Sequence, residues 1–273
     1  MEVIIVENPQ AVAALVADAV CRLLTDNRHA VLGLATGSTP TLTYNELVER
    51  ADRQEVDFTG ATVFMLDEYL GLQPDDPNLY LNQIRSWFTD RVNIPRDHVL
   101  APDSGTDDVK LECQRYEERI AEEGGIELQL LGIGSDGHIA FNEPTSSLAS
   151  RTRIKTLTEQ SRVDNAMWFS SVFDGDDTPN SAIERVPCHV ITQGVGTILD
   201  ASHIVLLATG SGKADAIARA IEGPVTAMVP ASAMQLHPHA TVVVDEEAAT
   251  GLQLADYYRT VHAEKVHWQP PIT

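Results

Sequence analysis

Lysine is scarce in this chain. Its 273 residues include four, Lys110, Lys155, Lys213 and Lys265, and 19 basic residues stand against 40 acidic ones. A formal net charge of −21 argues against nucleic acid and anionic membrane surfaces as partners, because both attract basic faces. Cysteine is equally sparse. Cys21, Cys113 and Cys188 are odd in number, far apart and without metal-ligand spacing, which argues against a disulfide framework and for a reducing compartment. No apolar run approaches the ~20 residues a membrane helix needs. The opening MEVIIVENPQ lacks the basic flank of a secretory signal, so the chain reads as cytoplasmic. Nor is the chain poor in apolar residues: at 43% hydrophobic it can bury a core.

Short β-branched runs alternate with helical periodicity. Strands are expected at 3–6, 31–34, 62–66, 128–133, 204–208 and 241–244. Helices are expected at 9–24, 40–53, 79–91, 107–123, 213–222 and 246–260. Such alternation implies an α/β fold with a doubly wound, mainly parallel sheet, a Rossmann-like three-layer sandwich. Residues 1–273 then form a single α/β catalytic domain, with a lid segment around 157–187. Within it, the Asp-, Ser- and Pro-rich stretch 170–185 has no clear periodicity. In sheets of this class ligands bind beyond the carboxyl ends of the strands, so the residues just after each strand decide the function.

Two strand ends echo one another: Ala35-Thr36-Gly37-Ser38 and Ala208-Thr209-Gly210-Ser211 both come after apolar strands and open helices. Glycine permits a tight turn, and the free N–H groups of a helix start favour an anion. An ordinary helix cap reads the same way. The second echo adds Lys213, a cation at a positive helix end, which makes sense with an anion between them; its spacing is not that of a nucleotide P-loop. Asp67 and Glu68 end a third strand, where burial can make a carboxylate a general base or one of the pair caps the next segment. The fourth strand runs into Gly132-Ile133-Gly134-Ser135-Asp136-Gly137-His138-Ile139-Ala140-Phe141-Asn142-Glu143-Pro144. Here one histidine lies between two acids, a pattern suited to acid–base chemistry. One histidine and two acids are a thin ligand set for a metal, and no serine sits in a nucleophile elbow.

These stretches resemble the glucosamine-6-phosphate deaminase family. LGLATGSTPTLTY (32–44), MLDEYLGL (65–72), LGIGSDGHIAFNEPTSSLASRTRIKTL (131–157), GVGTILDA (194–201), GSGKA (210–214) and LHPHATVVVDEEA (236–248) carry the resemblance in collinear order. It implies conversion of glucosamine 6-phosphate into fructose 6-phosphate and ammonia, with no cofactor and no metal. Asp67 would move a proton from C2 to C1 of the open-chain sugar, and His138 would open the ring. Asp136 and Glu143 would tune His138. Thr36, Gly37, Ser38, Thr39 and Lys213 would surround the phosphate. Allosteric members of the family bind N-acetylglucosamine 6-phosphate between subunits of a homo-oligomer, and the matching positions here are Ser146, Arg151, Arg153, Lys155 and Thr156; other members are unregulated monomers, so the match leaves both states open. The rival readings are a related sugar-phosphate lactonase or isomerase, and a non-catalytic sugar-phosphate sensor; a sensor has no need of Asp67, Asp136, His138 and Glu143 together.

One departure stands out. Where the family pattern carries an arginine for the substrate phosphate, this chain has Met167, and the loop after it is longer. Arg162 or Arg185, which flank the same segment, could supply the missing charge; otherwise the loops at Gly37 and Lys213 bind the phosphate unaided.

Overall fold

Apolar strands that alternate their side chains between two helical layers build the molecule. The structure is a computed structural model that describes residues 1–170, 183–266 and 272. Its strands are β1 (Glu2–Val6), β2 (Val31–Leu34), β3 (Thr62–Met65), β4 (Asp67–Tyr69), β5 (Val99–Leu100), β6 (Leu128–Leu131), β7 (Arg153–Thr156), β8 (His189–Thr192), β9 (His203–Ala208) and β10 (Ala240–Asp245). The helices that shape the site are α1 (Pro9–Asp26), α2 (Ser38–Asp52), α3 (Tyr80–Ile84), α4 (Val109–Glu122) and α5 (Glu159–Ser170).

Seven strands form one sheet in the order β1-β10-β9-β6-β2-β3-β5, with every neighbouring pair parallel. Side chains on a strand alternate between faces. On β9, Val205 and Leu207 enter the core shared with α1, α2 and α3, while Ile204, Leu206 and Ala208 enter the core shared with α4 and helix Ala214–Ile221. Hence both faces are covered and the strands read as continuous apolar runs. This is the three-layer α/β arrangement expected from the alternation.

The winding order locates the crevice. From β2 the chain steps outward to β3 and β5, then returns to the other side of β2 at β6 and continues through β9 to β10. The reversal lies between β2 and β6. Loops leaving these two strands diverge to opposite faces, which opens a ligand crevice between them.

Residues 67–69, 153–156 and 189–192 form strands that the sequence does not announce. A second, antiparallel sheet has the order β4-β8-β7. Leu66 is the joint between the sheets: its N–H donates to Leu34 O at 3.2 Å and its carbonyl accepts Gln193 N–H at 2.8 Å. Asp67 therefore sits where the chain leaves one sheet for the other. Two expected helices are broken. The 79–91 helix is α3 followed by a π-helical stretch, Arg85–Thr89. The 246–260 helix is a 3-10 turn, Ala248–Gly251, and then helix Ala255–Ala263. In the gap, Glu222 from a neighbouring helix accepts the N–H groups of Gln253 and Leu254 at 2.8 and 2.9 Å, so the last helix starts afresh on an external cap. Among the described residues no helix is long and apolar enough to cross a membrane.

Candidate active site

Four strand ends meet at the crevice. The loops after β2, β3, β6 and β9 line one cavity of about 620 Å³, which brings together Thr36, Gly37, Ser38, Thr39, Asp67, His138 and Lys213. The two echoed motifs thus face the same space from opposite sides of β6.

They are not equivalent. Gly37 has φ +125°, a backbone that only glycine adopts without strain, and it precedes α2 with no side-chain cap. Tyr44 Oη holds the loop by donating to Ala35 O at 2.6 Å. The uncapped start of α2 therefore presents its N–H groups to the cavity. In the second loop Asp245 already accepts the Gly210 N–H at 3.0 Å and Glu247 accepts the Ser211 N–H at 3.3 Å. That loop offers side chains instead: Thr209, and Lys213, whose Nζ donates to Ile133 O at 2.7 Å. An anion here would meet backbone dipoles on one side and an ammonium on the other.

The loop after β6 folds back on itself. Gly137 N–H donates to Gly134 O at 3.0 Å and Gly134 N–H to His138 O at 2.9 Å. A Cβ on Gly134 would lie 2.2 Å from His138 Cε1, so the imidazole packs flat on bare backbone. Asp136 Oδ1 accepts the His138 backbone N–H at 3.0 Å and lies 2.7 Å from ring Nδ1. The ring contact is a close charge approach and lacks the alignment of a full hydrogen bond. His138 holds the Asp136 carboxyl down to about 2, so Asp136 is ionised at neutral pH. Glu143 is placed differently from the expectation. Its Oε1 accepts Ser161 Oγ at 2.5 Å and Thr158 Oγ1 at 3.1 Å, at the start of α5, so of the two acids it is Asp136 that pairs with the imidazole in this conformation. The hydroxyls of Thr158 and Ser161 draw the carboxylate away because they satisfy it in a buried place.

The strand-end pair on β4 divides its labour. Asp67 lines the cavity and is 6% exposed. Burial first, and then the neighbouring Glu68 charge, push its carboxyl well above the ordinary aspartate range. Glu68 turns inward and caps α3. Of the pair, Glu68 is the one that caps the next segment, and Asp67 is left facing the cavity.

The cavity is also lined by Tyr80, Phe141, Ser161, Asn165 and Thr209, which are not among the candidate site residues read from the sequence. Ser161 and Asn165 are four apart on α5, a spacing that puts them on one helix face. Thr209 belongs to the second echoed motif, which is the signal that could have found it. The positions compared with an effector site lie away from the cavity. Arg151 is paired with Glu117 and Asp200, both at 2.5 Å. Ser146 is buried, and Arg153, Lys155 and Thr156 lie on β7. Arg162 donates to the carbonyls of Ile183 and Val186 at 2.6 and 3.2 Å, joining α5 to the segment before β8, and Arg185 donates to Phe169 O at 3.3 Å. Neither is among the cavity-lining residues, so the expectation that one of them replaces the missing arginine finds no support in this conformation. The side chain of Met167 and residues 171–182 lie outside the described residues. Among the described residues no three His, Cys, Asp or Glu side chains are grouped so that they could hold a metal ion.

Known proteins resemble the chain in sequence and fold. A glucosamine-6-phosphate deaminase of Streptomyces coelicolor is 53% identical over 269 residues, covering 98% of this chain and 99% of that protein. One from Mycolicibacterium smegmatis is 50% identical over the same shares. A solved monomeric glucosamine-6-phosphate deaminase superposes with a TM-score of 0.85 at 37% identity, covering 92% of this chain and all of that one. The 6-phosphogluconolactonase of Trypanosoma cruzi, at 20% identity and a TM-score of 0.70, shares the fold over 92% of this chain and 97% of its own. With residues 7–244 also matching the family described as glucosamine-6-phosphate isomerases/6-phosphogluconolactonase, the chain belongs to that family.

Proposed function

We propose that the chain converts glucosamine 6-phosphate and water into fructose 6-phosphate and ammonia. The observation that carries this reading is the pairing, in one cavity, of a buried carboxylate and a separate carboxylate-backed imidazole beside a phosphate-type helix start. The chemistry needs both groups. The C2 proton is acidic only when C1 is a carbonyl, so the ring must open first. His138 moves the proton between the ring oxygen and solvent. Asp67 then takes the C2 proton while the C1 oxygen gains one, giving an enolamine with a C1 hydroxyl and a C2 amino group, and returns the proton at C1. The product is a C2 imine, which water hydrolyses to the ketone with loss of ammonia. A lactone hydrolase needs only one base for water, and leaves one of these two groups without a step. The direct test is ammonia release from glucosamine 6-phosphate by the purified chain. Hydrolysis of 6-phosphogluconolactone without ammonia release would replace this reading by the lactonase one.

In the same reading the phosphate lies between the start of α2 and Lys213. A charge-assisted hydrogen bond to phosphate contributes ~1.5–3 kcal/mol. Lys213→Ala is therefore expected to raise KM by roughly 10–100-fold, with a smaller change in kcat. An unchanged KM would place the phosphate elsewhere.

In this reading the lid expected around 157–187 includes α5, whose Ser161 and Asn165 line the cavity. The regulatory part of the reading has N-acetylglucosamine 6-phosphate binding near Arg151, Arg153 and Lys155 between copies of the chain. The pairing of Arg151 with Glu117 and Asp200 leaves Arg153 and Lys155 to attract an anion. The effector should raise substrate affinity by a coupling of ~1–3 kcal/mol, and Lys155→Ala should remove that response. A substrate saturation curve indifferent to the effector would dismiss this part and leave the catalytic reading intact.

A further inference from the structure

Glu68 adjoins the proposed base, and the reaction as derived gives it no task. It is 2% exposed. Oε1 accepts the N–H of Tyr69 and of Tyr80, and Oε2 the N–H of Leu81, each at 2.9 Å. The last two are the first N–H groups of α3, and Leu79 before them offers no side-chain cap. Helix starts leave such donors without internal partners, so Glu68 supplies the cap from a different element.

What it ties together is the site. Asp67 precedes it on β4, Tyr80 begins α3, and both line the cavity. Tyr80 is itself packed: its ring lies 4.8 Å from Tyr69 and 6.1 Å from Phe141, and its hydroxyl reaches Asn165 Oδ1 at 3.3 Å. A cap alone asks only for an acceptor, which a neutral side chain can supply. Here a carboxylate is buried one residue behind another carboxylate. The remaining titratable neighbours of Asp67 are Tyr69 on its own strand, Tyr80 from α3 and Tyr116 from α4, with His138 and Lys213 lining the same cavity. Burial pushes all three tyrosines upward, so they stay neutral. Burial also raises Glu68, to about 7, against the three N–H groups that lower it and with the Asp76 charge adding to the rise, so Glu68 is the near acid that becomes a negative charge as pH rises through neutral. Like charges at such range favour the protonated form of either acid, which makes the ionised one a stronger base.

We propose that Glu68 is a positioning residue for the reaction: it clamps α3 onto β4, so holding the Asp67 carboxylate against the Tyr80 wall, and keeps a negative charge behind the base. This rests on the reading of Asp67 as the base. The measurement is the pH profile of ammonia release, with kcat and KM separated, for Glu68→Gln, Glu68→Asp and Asp67→Asn. Glu68→Gln keeps the shape and removes the charge. Its acid limb should move about one pH unit lower and its plateau kcat should fall about tenfold, with KM within about twofold. Glu68→Asp keeps the charge and stops one methylene short of α3, so its kcat should fall with the limb unmoved. An unmoved limb in Glu68→Gln overturns the proposal, whatever the plateau. Should Glu68→Gln fail to fold, Glu68→Asp decides alone, and a wild-type kcat there overturns it. Asp67→Asn separates the two failures: if it stays active the base is misassigned, whereas an inactive Asp67→Asn beside an unmoved Glu68→Gln limb sinks only the role of Glu68.

Discussion

Asp67→Asn is expected to lower ammonia release from glucosamine 6-phosphate by ~10²–10⁴-fold, the usual cost of losing a general base. KM should change little, because in the proposed reading the phosphate is held by the loops at Gly37 and Lys213, apart from Asp67. The same variant is expected to unfold at a temperature equal to or above that of the wild type. The reason is the direction of the Asp67 shift. Burial and Glu68 raise its folded pKa well above that of an unfolded aspartate. The ionised form is therefore disfavoured by folding. Its destabilising effect is absent below the unfolded pKa and grows as pH rises toward the folded value. At neutral pH and above, asparagine relieves that cost while keeping the shape. Lost turnover together with retained or raised stability separates a chemical role from a structural one, as expected where activity and stability are traded. In the wild type, activity should fall on the acid side at a pH above the ordinary aspartate range, since Asp67 must be ionised to act. Near wild-type turnover in a folded Asp67→Asn would end its assignment as the base.

The part of the fold that could be read from the sequence tracked the apolar periodicity. Strands buried on both faces of the large sheet, such as β2 with Val31, Leu32 and Leu34, announce themselves as short continuous apolar runs. The strands of the small sheet do not. β7 is Arg-Ile-Lys-Thr, half exposed, and it reads as a basic surface patch. β4 is three residues long, and two of them are acids, so it reads as a loop end. Pairing with β8 makes both of them strands, and the partner of β4 lies more than a hundred residues away, which leaves no local trace. The site divides along the same line. Glycine turns and strand ends marked the phosphate loops, the Asp67 pair and the His138 loop, because backbone requirements are local. The walls at Tyr80, Ser161 and Asn165 depend on how α3 and α5 dock. The orientation of Glu143 toward Thr158 and Ser161 depends on which donors tertiary packing brings near, and sequence spacing does not encode that.

His138→Gln carries the second large effect, and it should depend on the form of the sugar supplied. Glucosamine 6-phosphate enters as a ring, and the C2 proton cannot leave until the C1 carbonyl is exposed. With His138 replaced, opening proceeds only through solvent, and ammonia release should fall by ~10²–10⁴-fold. Glutamine fits the place, since Gly134 leaves room for a planar group over its backbone, and its amide can still face Asp136. Steps after ring opening should survive. Fructose 6-phosphate has an open-chain ketone form, so with ammonia present it can reach the imine without His138. In heavy water, exchange of the C1 hydrogen of fructose 6-phosphate should then continue in His138→Gln at a rate within about tenfold of wild type, while Asp67→Asn abolishes it. The contrast rests on the geometry: Asp136 backs the imidazole at 2.7 Å, whereas Asp67 stands on another strand, where burial and the Glu68 charge set its basicity. If exchange and ammonia release fall together in His138→Gln, then His138 serves the proton transfer between C2 and C1, and ring opening belongs to another group.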